Sequence, residues 1–314
     1  MLSEKIDVNS TQYVWQENWI RIPASAAQAS GGRTHGVAVT RSGQIVVFAQ
    51  ANPAVYFFTP EGKEVAAWGN QFAGAHGLTL VEEAGSEFLW LTDQHSGAVV
   101  KTTLDGHVIQ EIERPPELPY KPTWVAVNPK NEDVWVTDGY ASHVIRRYAK
   151  SGVLISTLTG EGAPDRFLCP HGIAFGPDGN LYVTDRSRKR IVIYDGDGTY
   201  LRHRDDVVHS PCMFAFHGGK VYVPELFGDL KILDSGLNIV SRVGTNPDVR
   251  PEGGWPDQDG WGLPTLPGWP NLSGTAYDRP ERFIAPHSAA VALGGTIYVA
   301  EWVLGGRLSK LTPK

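Results

Sequence analysis

Short apolar runs, separated by turns rich in glycine, recur along the chain at near-regular intervals. Six related phrases open them, at 34–39, 75–80, 122–127, 170–175, 211–216 and 286–291; Thr34-His35-Gly36-Val37-Ala38-Val39 and Pro170-His171-Gly172-Ile173-Ala174-Phe175 are typical. Each predicts a strand start. A turn and a second apolar strand follow, ending at Ala49 in the first copy and at Asp93, Asp138, Asp185, Glu225 and Glu301 in the others. Self-similarity at about 40–50 residues, with four short strands per unit, is the pattern of a propeller. The expected fold is all-β: a six-bladed β-propeller.

The two ends complement each other. Only three strands follow residue 286, and the stretch 11–23, with Tyr13, Trp15, Trp19, Ile20 and Ile22 in partial alternation, reads as the missing outer strand of the last blade. An N-terminal strand joining the last blade closes the fold and removes sheet edges that would otherwise invite association. Residues 1–9 read as a loose leader. The whole of 1–314 is expected to be a single propeller domain, interrupted by a Trp/Pro/Gly-rich insertion at 251–283 that holds no period of 2 or 3.6. Long irregular segments in compact domains are often functional. The insertion, with Trp255, Trp261 and Trp269, is expected to form a lid over the central channel, the alternative being a surface loop packed on its own tryptophans.

Composition narrows the function. A net charge of -6 and no long basic run argue against a nucleic-acid partner. Two cysteines, Cys169 and Cys212, cannot supply a disulfide framework. The opening Met1-Leu2-Ser3-Glu4-Lys5-Ile6-Asp7 lacks the layout of a signal peptide, which predicts a cytoplasmic protein. The most apolar stretch, 288–303, is broken by Gly294-Gly295 and carries Glu301, so it reads as two propeller strands and no membrane partner is expected.

In a propeller the innermost strands start at one face and line the channel, so the repeated strand-start position forms a ring: His35, His76, Trp124, His171, Cys212 and His287. Neutral imidazoles on separate rigid blades can converge on one cation, and three histidines with open positions suit a catalytic divalent transition metal. His76, His171 and His287 come from alternate blades; His35 is a fourth ligand or a supporting or substrate-contacting group. Without a metal, these rings would bond to channel water and carbonyls. A second ring follows the second strands: Gln50, Gln94, Gly139, Arg186, Leu226 and Trp302. Gln50, Gln94, Trp124, Cys212 and Trp302 are candidate substrate-binding positions. The acids before this ring are expected to be structural, accepting turn amides. Arg186 is the only cation in its ring, suited to a substrate oxyanion or, alternatively, to the acids around it. Tyr140 would present a phenol as acid or base.

These phrases resemble the NHL-repeat propellers and, within them, the catalytic core of the peptidyl-alpha-hydroxyglycine alpha-amidating lyases, over essentially the whole chain except the insertion. The resemblance implies that the histidines of Ala75-His76-Gly77-Leu78, Pro170-His171-Gly172 and Pro286-His287-Ser288 hold a catalytic zinc. It implies that Tyr140, in Val136-Thr137-Asp138-Gly139-Tyr140, removes the substrate's hydroxyl proton, and that Arg186 is an active-site arginine. The hemiaminal then collapses to an amide and glyoxylate. The chain departs from the family pattern at Gln50, where a second active-site arginine is expected, and at Ser288, where an Asp associated with a structural calcium is expected. The family's disulfides have no counterpart.

Three readings follow. The first is a metal-dependent lyase acting on a hydroxylated small molecule or peptide-like substrate, with zinc as the leading metal and iron, manganese, copper or nickel as alternatives. The second is a metal-dependent hydrolase or isomerase acting on a sugar or lactone. The third is a non-catalytic interaction propeller.

Overall fold

A computed structural model describes residues 5–8, 11–27, 31–116, 119–247, 249, 280–303 and 305–314. Of the insertion expected to form a lid, 251–279 with Trp255, Trp261 and Trp269 lies outside the described residues. Six antiparallel sheets run in sequence order, five of four strands and one of five, and they are the blades of a six-bladed β-propeller. Among the described residues helix is confined to Ala24–Ala27 and one 3-10 turn, Arg186–Arg188, and no helix is long and apolar enough to cross a membrane.

Blade four shows how sequence becomes sheet. Pro170–Phe175, Leu181–Asp185, Arg190–Tyr194 and Tyr200–Arg204 are its strands from inside outward. The second and third are buried throughout, which suits their continuous β-branched and aromatic content. The outer strand is wet. The core therefore lies between consecutive sheets: Trp124, Trp135 and Ile145 of blade three pack with Ile173, Leu181, Val192 and Tyr194 of blade four. Inner strands Ala75–Glu83, Trp124–Val127 and Pro170–Phe175 adjoin one another.

The last blade is closed as the sequence predicts. Thr11–Ile20 pairs antiparallel with Arg307–Pro313, Trp15 facing Leu311. One expectation fails: residues 5–8 are no loose leader but a strand, Lys5–Val8, that folds back on Thr11–Ile20 with Lys5 opposite Val14. Lys5-Ile6-Asp7-Val8 alternates polar and apolar residues as a strand does, over a run too short to stand out in the sequence, and its backbone covers the edge of the closing strand. Blade five also differs. Its inner strand is only Ala215–His217, beginning after the predicted start, and it ends at Gly218-Gly219 with both φ positive.

Backbone contacts divide the chain into two compact units, Met1–Asn70 with Ala215–Lys314, and Gln71–Phe214. The first holds blades one, five and six, the second blades two to four.

The acids that end the second strands have a common structural task. Asp93 accepts the amides of Gly74, His95 and Ser96; Asp185 accepts those of Leu168 and Cys169 and pairs with Arg190 at 2.9 Å. Asp138 receives Lys121 N–H and Arg146, Glu225 pairs with Lys231, and Glu301 receives Ile284 N–H and Arg307. Each pins the segment leading into, or a neighbouring strand of, its own blade.

The glycine after the inner-strand histidine has a steric reason. A Cβ on Gly77 would lie 2.4 Å from the Thr123 carbonyl oxygen, and one on Gly172 would lie 2.2 Å from that of Cys212. The next blade's backbone occupies the space. Gly172→Ala is expected to cost about 1–3 kcal/mol in urea unfolding, against no measurable loss for Gly294→Ala, whose added Cβ meets nothing within 4 Å. Trp15, 4% exposed and stacked at 4.5 Å on Phe283, closes the last blade from within; Trp15→Ala should lower unfolding free energy by about 3–5 kcal/mol.

Candidate functional site

In the second unit the close approach permitted by Gly77 and Gly172 brings a carbonyl of the next inner segment against each histidine ring. His76 Nδ1 lies 2.8 Å from Thr123 O, and His171 Nδ1 lies 2.8 Å from Cys212 O. A carbonyl can only accept, so each Nδ1 carries a proton, and in the neutral form of the ring the lone pair is at Nε2. Threonines in the second strands brace the same carbonyls. Thr92 Oγ1 donates to Thr123 O at 2.9 Å and accepts Gly77 N–H, while Thr184 Oγ1 donates to Cys212 O at 3.2 Å and accepts Gly172 N–H.

The two Nε2 atoms converge on one phenol. Tyr140 Oη is 3.1 Å from His76 Nε2 and 2.9 Å from His171 Nε2. Arg186 Nη1 donates to the same oxygen at 3.2 Å, and its guanidinium lies 5.2 Å from the Tyr140 ring centre. The imidazole centroids are 4.9 Å apart. His76, His171 and Arg186 are buried and Tyr140 is half-buried. Tyr140 thus has one hydroxyl proton to share with two basic nitrogens, beside a permanent cation.

Local structure fixes these groups. Tyr140 follows Gly139, where a Cβ would lie 2.6 Å from Pro170 O. Arg186 opens the 3-10 turn, with its amide bonded to Cys169 O and Lys189 closing the turn at φ 55°. Arg186 donates to the phenol, while Arg190 pairs with Asp185 at 2.9 Å.

The first unit repeats the histidine arrangement. His287 Nδ1 is 3.1 Å from the carbonyl of His35, so blade one supplies to blade six what Thr123 supplies to His76. The His35 ring stands edge-on to His287 at 4.6 Å and to Trp302 at 6.2 Å, and both histidines are buried. Ligand atoms of His35 and His287 lie within 4.8 Å of each other, as do those of His171 and Cys212 in the second unit. The chain therefore carries buried His and Cys groups able to bind a metal.

The remaining candidates divide. Trp124, fully buried, stands edge-on to His76 at 6.0 Å. Cys212 contributes its carbonyl, its thiol lying 3.7 Å from Ser210 O, and neither cysteine is in a disulfide. Gln50 is buried, its backbone N–H donating to Arg33 O, and the Arg33 guanidinium lies 5.4 Å from the Trp302 ring centre. Gln94 lines a separate cavity with Arg114, Tyr120 and Lys121. Sequence reasoning missed the bracing threonines, although a Thr before the acid in Thr92-Asp93, Thr137-Asp138 and Thr184-Asp185 was a visible signal. The carbonyls of Thr123 and Cys212 had none, being backbone.

The family model of the NHL repeat matches residues 167–194. NHL repeat-containing protein 3 of Homo sapiens is 27% identical over 188 residues, 53% of this chain and 53% of that protein. A probable peptidyl-alpha-hydroxyglycine alpha-amidating lyase of Caenorhabditis elegans is 27% identical over 208 residues, 54% of this chain and 58% of that protein. The aligned stretches thus span about half the length of these curated relatives. Among solved structures, a streptogramin B lyase superposes with a TM-score of 0.63 at 14% identity, covering 96% of this chain and 98% of its own. A catalytically inactive histidine-to-alanine variant of virginiamycin B lyase from Staphylococcus aureus, solved with quinupristin, does so at 0.60 and 14%, covering 96% and 99%. The chain is a six-bladed β-propeller in which residues 167–194 match the NHL repeat, with weak homology to a probable peptidyl-alpha-hydroxyglycine alpha-amidating lyase.

Proposed function

We propose that this chain is a metal-dependent lyase that breaks a C–N or C–O bond in a hydroxylated small-molecule or peptide-like substrate. The observation that carries the reading is the phenol of Tyr140 held between two imidazole Nε2 atoms, at 3.1 and 2.9 Å, with Arg186 donating to it. The homology to an amidating lyase and the fold shared with streptogramin B lyase support it.

The donor set fits a divalent transition metal. At His76, His171 and His287 alike a backbone carbonyl holds the Nδ1 proton, and this leaves Nε2 as the nitrogen that a borderline cation prefers. His76 and His171 would offer it Nε2 from the second unit, in place of their contact with the Tyr140 hydroxyl, and His287, with His35 as a fourth ligand or a neighbour, would offer a nitrogen from the first; zinc is the first choice. Bound there, such an ion supplies Lewis acidity toward a substrate oxygen.

The protein groups carry the proton. Tyr140, as phenolate, takes the substrate's hydroxyl proton; the O–H electron pair becomes the C=O bond, and the C–N pair leaves with nitrogen. The phenol then returns that proton to the leaving nitrogen, so the enzyme ends as it began. Arg186 holds positive charge beside the phenol oxygen while the proton is away and orients an anionic substrate group. On a peptidyl hydroxyglycine the products would be an amide and glyoxylate. The alternative of a hydrolase or isomerase acting on a sugar or lactone draws on Trp255, Trp261 and Trp269, which lie outside the described residues.

Elemental analysis of the purified chain is expected to find a bound transition metal that is lost in His76→Ala/His171→Ala. No metal in either protein, even after reconstitution with zinc, iron and manganese, would overturn the metal reading and favour an interaction propeller. Glyoxylate release from a peptidyl hydroxyglycine should fall at least about 100-fold in Tyr140→Phe with metal content unchanged. Full activity in that variant would remove Tyr140 as the proton acceptor. Arg186→Ala should mainly raise KM for an anionic substrate, about 10-fold or more, and an unchanged KM would remove its anchoring role.

A further inference from the structure

The strand-start ring holds a fifth residue able to bind a metal. In the phrase Pro211-Cys212-Met213, Cys212 takes the place that His171 takes in Pro170-His171-Gly172 and His76 in Ala75-His76-Gly77. The unit 71–214 therefore contributes His76, Trp124, His171 and Cys212 to the ring. An indole N–H can only donate, so three of these four can bind a cation.

The cysteine is built against its histidine. Cys212 O accepts from His171 Nδ1 at 2.8 Å and from Thr184 Oγ1 at 3.2 Å. A Cβ on Gly172 would lie 2.2 Å from that oxygen and 2.9 Å from Met213 Cα, so the backbone at 212 is packed directly on the strand that carries the imidazole. The inner strand of blade five begins only at Ala215, which leaves Cys212 ahead of its own ladder and against blade four.

The side chains follow the backbones. Cys212 Sγ and a ring nitrogen of His171 lie within 4.8 Å of each other, and both residues are fully buried. With Zn–S at about 2.3 Å and Zn–N at about 2.0–2.1 Å, two ligand atoms on a tetrahedral zinc stand roughly 3.5 Å apart. A small side-chain adjustment covers the difference. The thiol donates to Ser210 O over 3.7 Å, a long bond that a cation replaces when sulfur binds as thiolate and its proton leaves to solvent.

We propose that Cys212 is a thiolate ligand, beside His171, of the metal assigned to this chain under the proposed function. The inference rests on that metal-dependent reading and adds a ligand to it. It also narrows the metal, because a thiolate among imidazoles favours zinc and disfavours manganese.

The test is zinc K-edge X-ray absorption on the full chain loaded with zinc, followed by cobalt replacement. The wild type is expected to show a sulfur shell at about 2.3 Å beside nitrogen at about 2.0–2.1 Å. Its cobalt form should show a near-ultraviolet thiolate-to-cobalt charge-transfer band. Cys212→Ser retains the backbone carbonyl that holds His171 Nδ1; it should lose the sulfur shell and the band, and its zinc Kd should rise about 10-fold or more. Cys169→Ser, in which Cys212 is the remaining cysteine, should keep both signals. If Cys212→Ser does not fold, the wild type and Cys169→Ser decide. A wild-type shell of nitrogen and oxygen alone, a sulfur shell that survives Cys212→Ser, or a band lost in Cys169→Ser would overturn the ligand and leave the metal reading standing. Failure of the wild type to bind zinc or cobalt would overturn both.

Discussion

The fit of a side-chain-free glycine against the next inner segment's carbonyl is the contact on which the rest of the second unit depends. At Gly77 and Gly172 there is no room for a Cβ, so Thr123 O and Cys212 O come close enough to be shared. Each is taken by a threonine hydroxyl from the second strand and by a histidine Nδ1. One carbonyl thereby joins two blades and sets the tautomer of a functional ring. Packing and chemistry are one interaction here. A change that loosens the blades also frees the imidazole to rotate or to move its proton.

The acids that end the second strands divide the labour. Asp93, Asp138, Asp185 and Glu301 hold the lead-in segment with amide hydrogen bonds, and in four of the five blades that carry an acid it holds a cation from the neighbouring strand. Being already committed, they contribute little free negative charge to the candidate site. This is why Arg186 can face a phenol: Asp185, the carboxylate next to it in sequence, is taken by Leu168 N–H, Cys169 N–H and Arg190.

Most of the fold was legible because a blade writes itself into sequence twice, as alternation within strands and as a repeated phrase at each inner strand. The closing strand at Thr11–Ile20 was readable from its aromatic residues, since they pack inward. Lys5–Val8 was not: its residue types alternate, but four residues are too short a run to establish a period by themselves. The shortened inner strand of blade five was hidden because Pro211-Cys212-Met213-Phe214 keeps the repeated pattern while the Cys212 carbonyl serves His171 and Thr184. At the candidate site, His76, His171, Tyr140 and Arg186 could be named from repeat position, which fixes where a side chain starts. The cavity at Gln94 could not. Arg114, Tyr120 and Lys121 lie in the irregular connection between blades two and three, where no repeat says which residues meet.

Tyr140 shows how tightly a propeller can hold a reactive group without placing it on a strand. Its turn begins at Gly139, whose missing Cβ leaves 2.6 Å to Pro170 O, the residue immediately before His171. The clamp that sets the turn is therefore the lead-in to the strand carrying its imidazole partner, and the phenol and His171 move together or not at all. Arg186 is tied to the same segment through Cys169 O. Three elements of blades three and four thus meet within two residues of one histidine. The 2.9 Å contact between Tyr140 and His171 follows from where the backbones must pack, not from any side chain's freedom to find another.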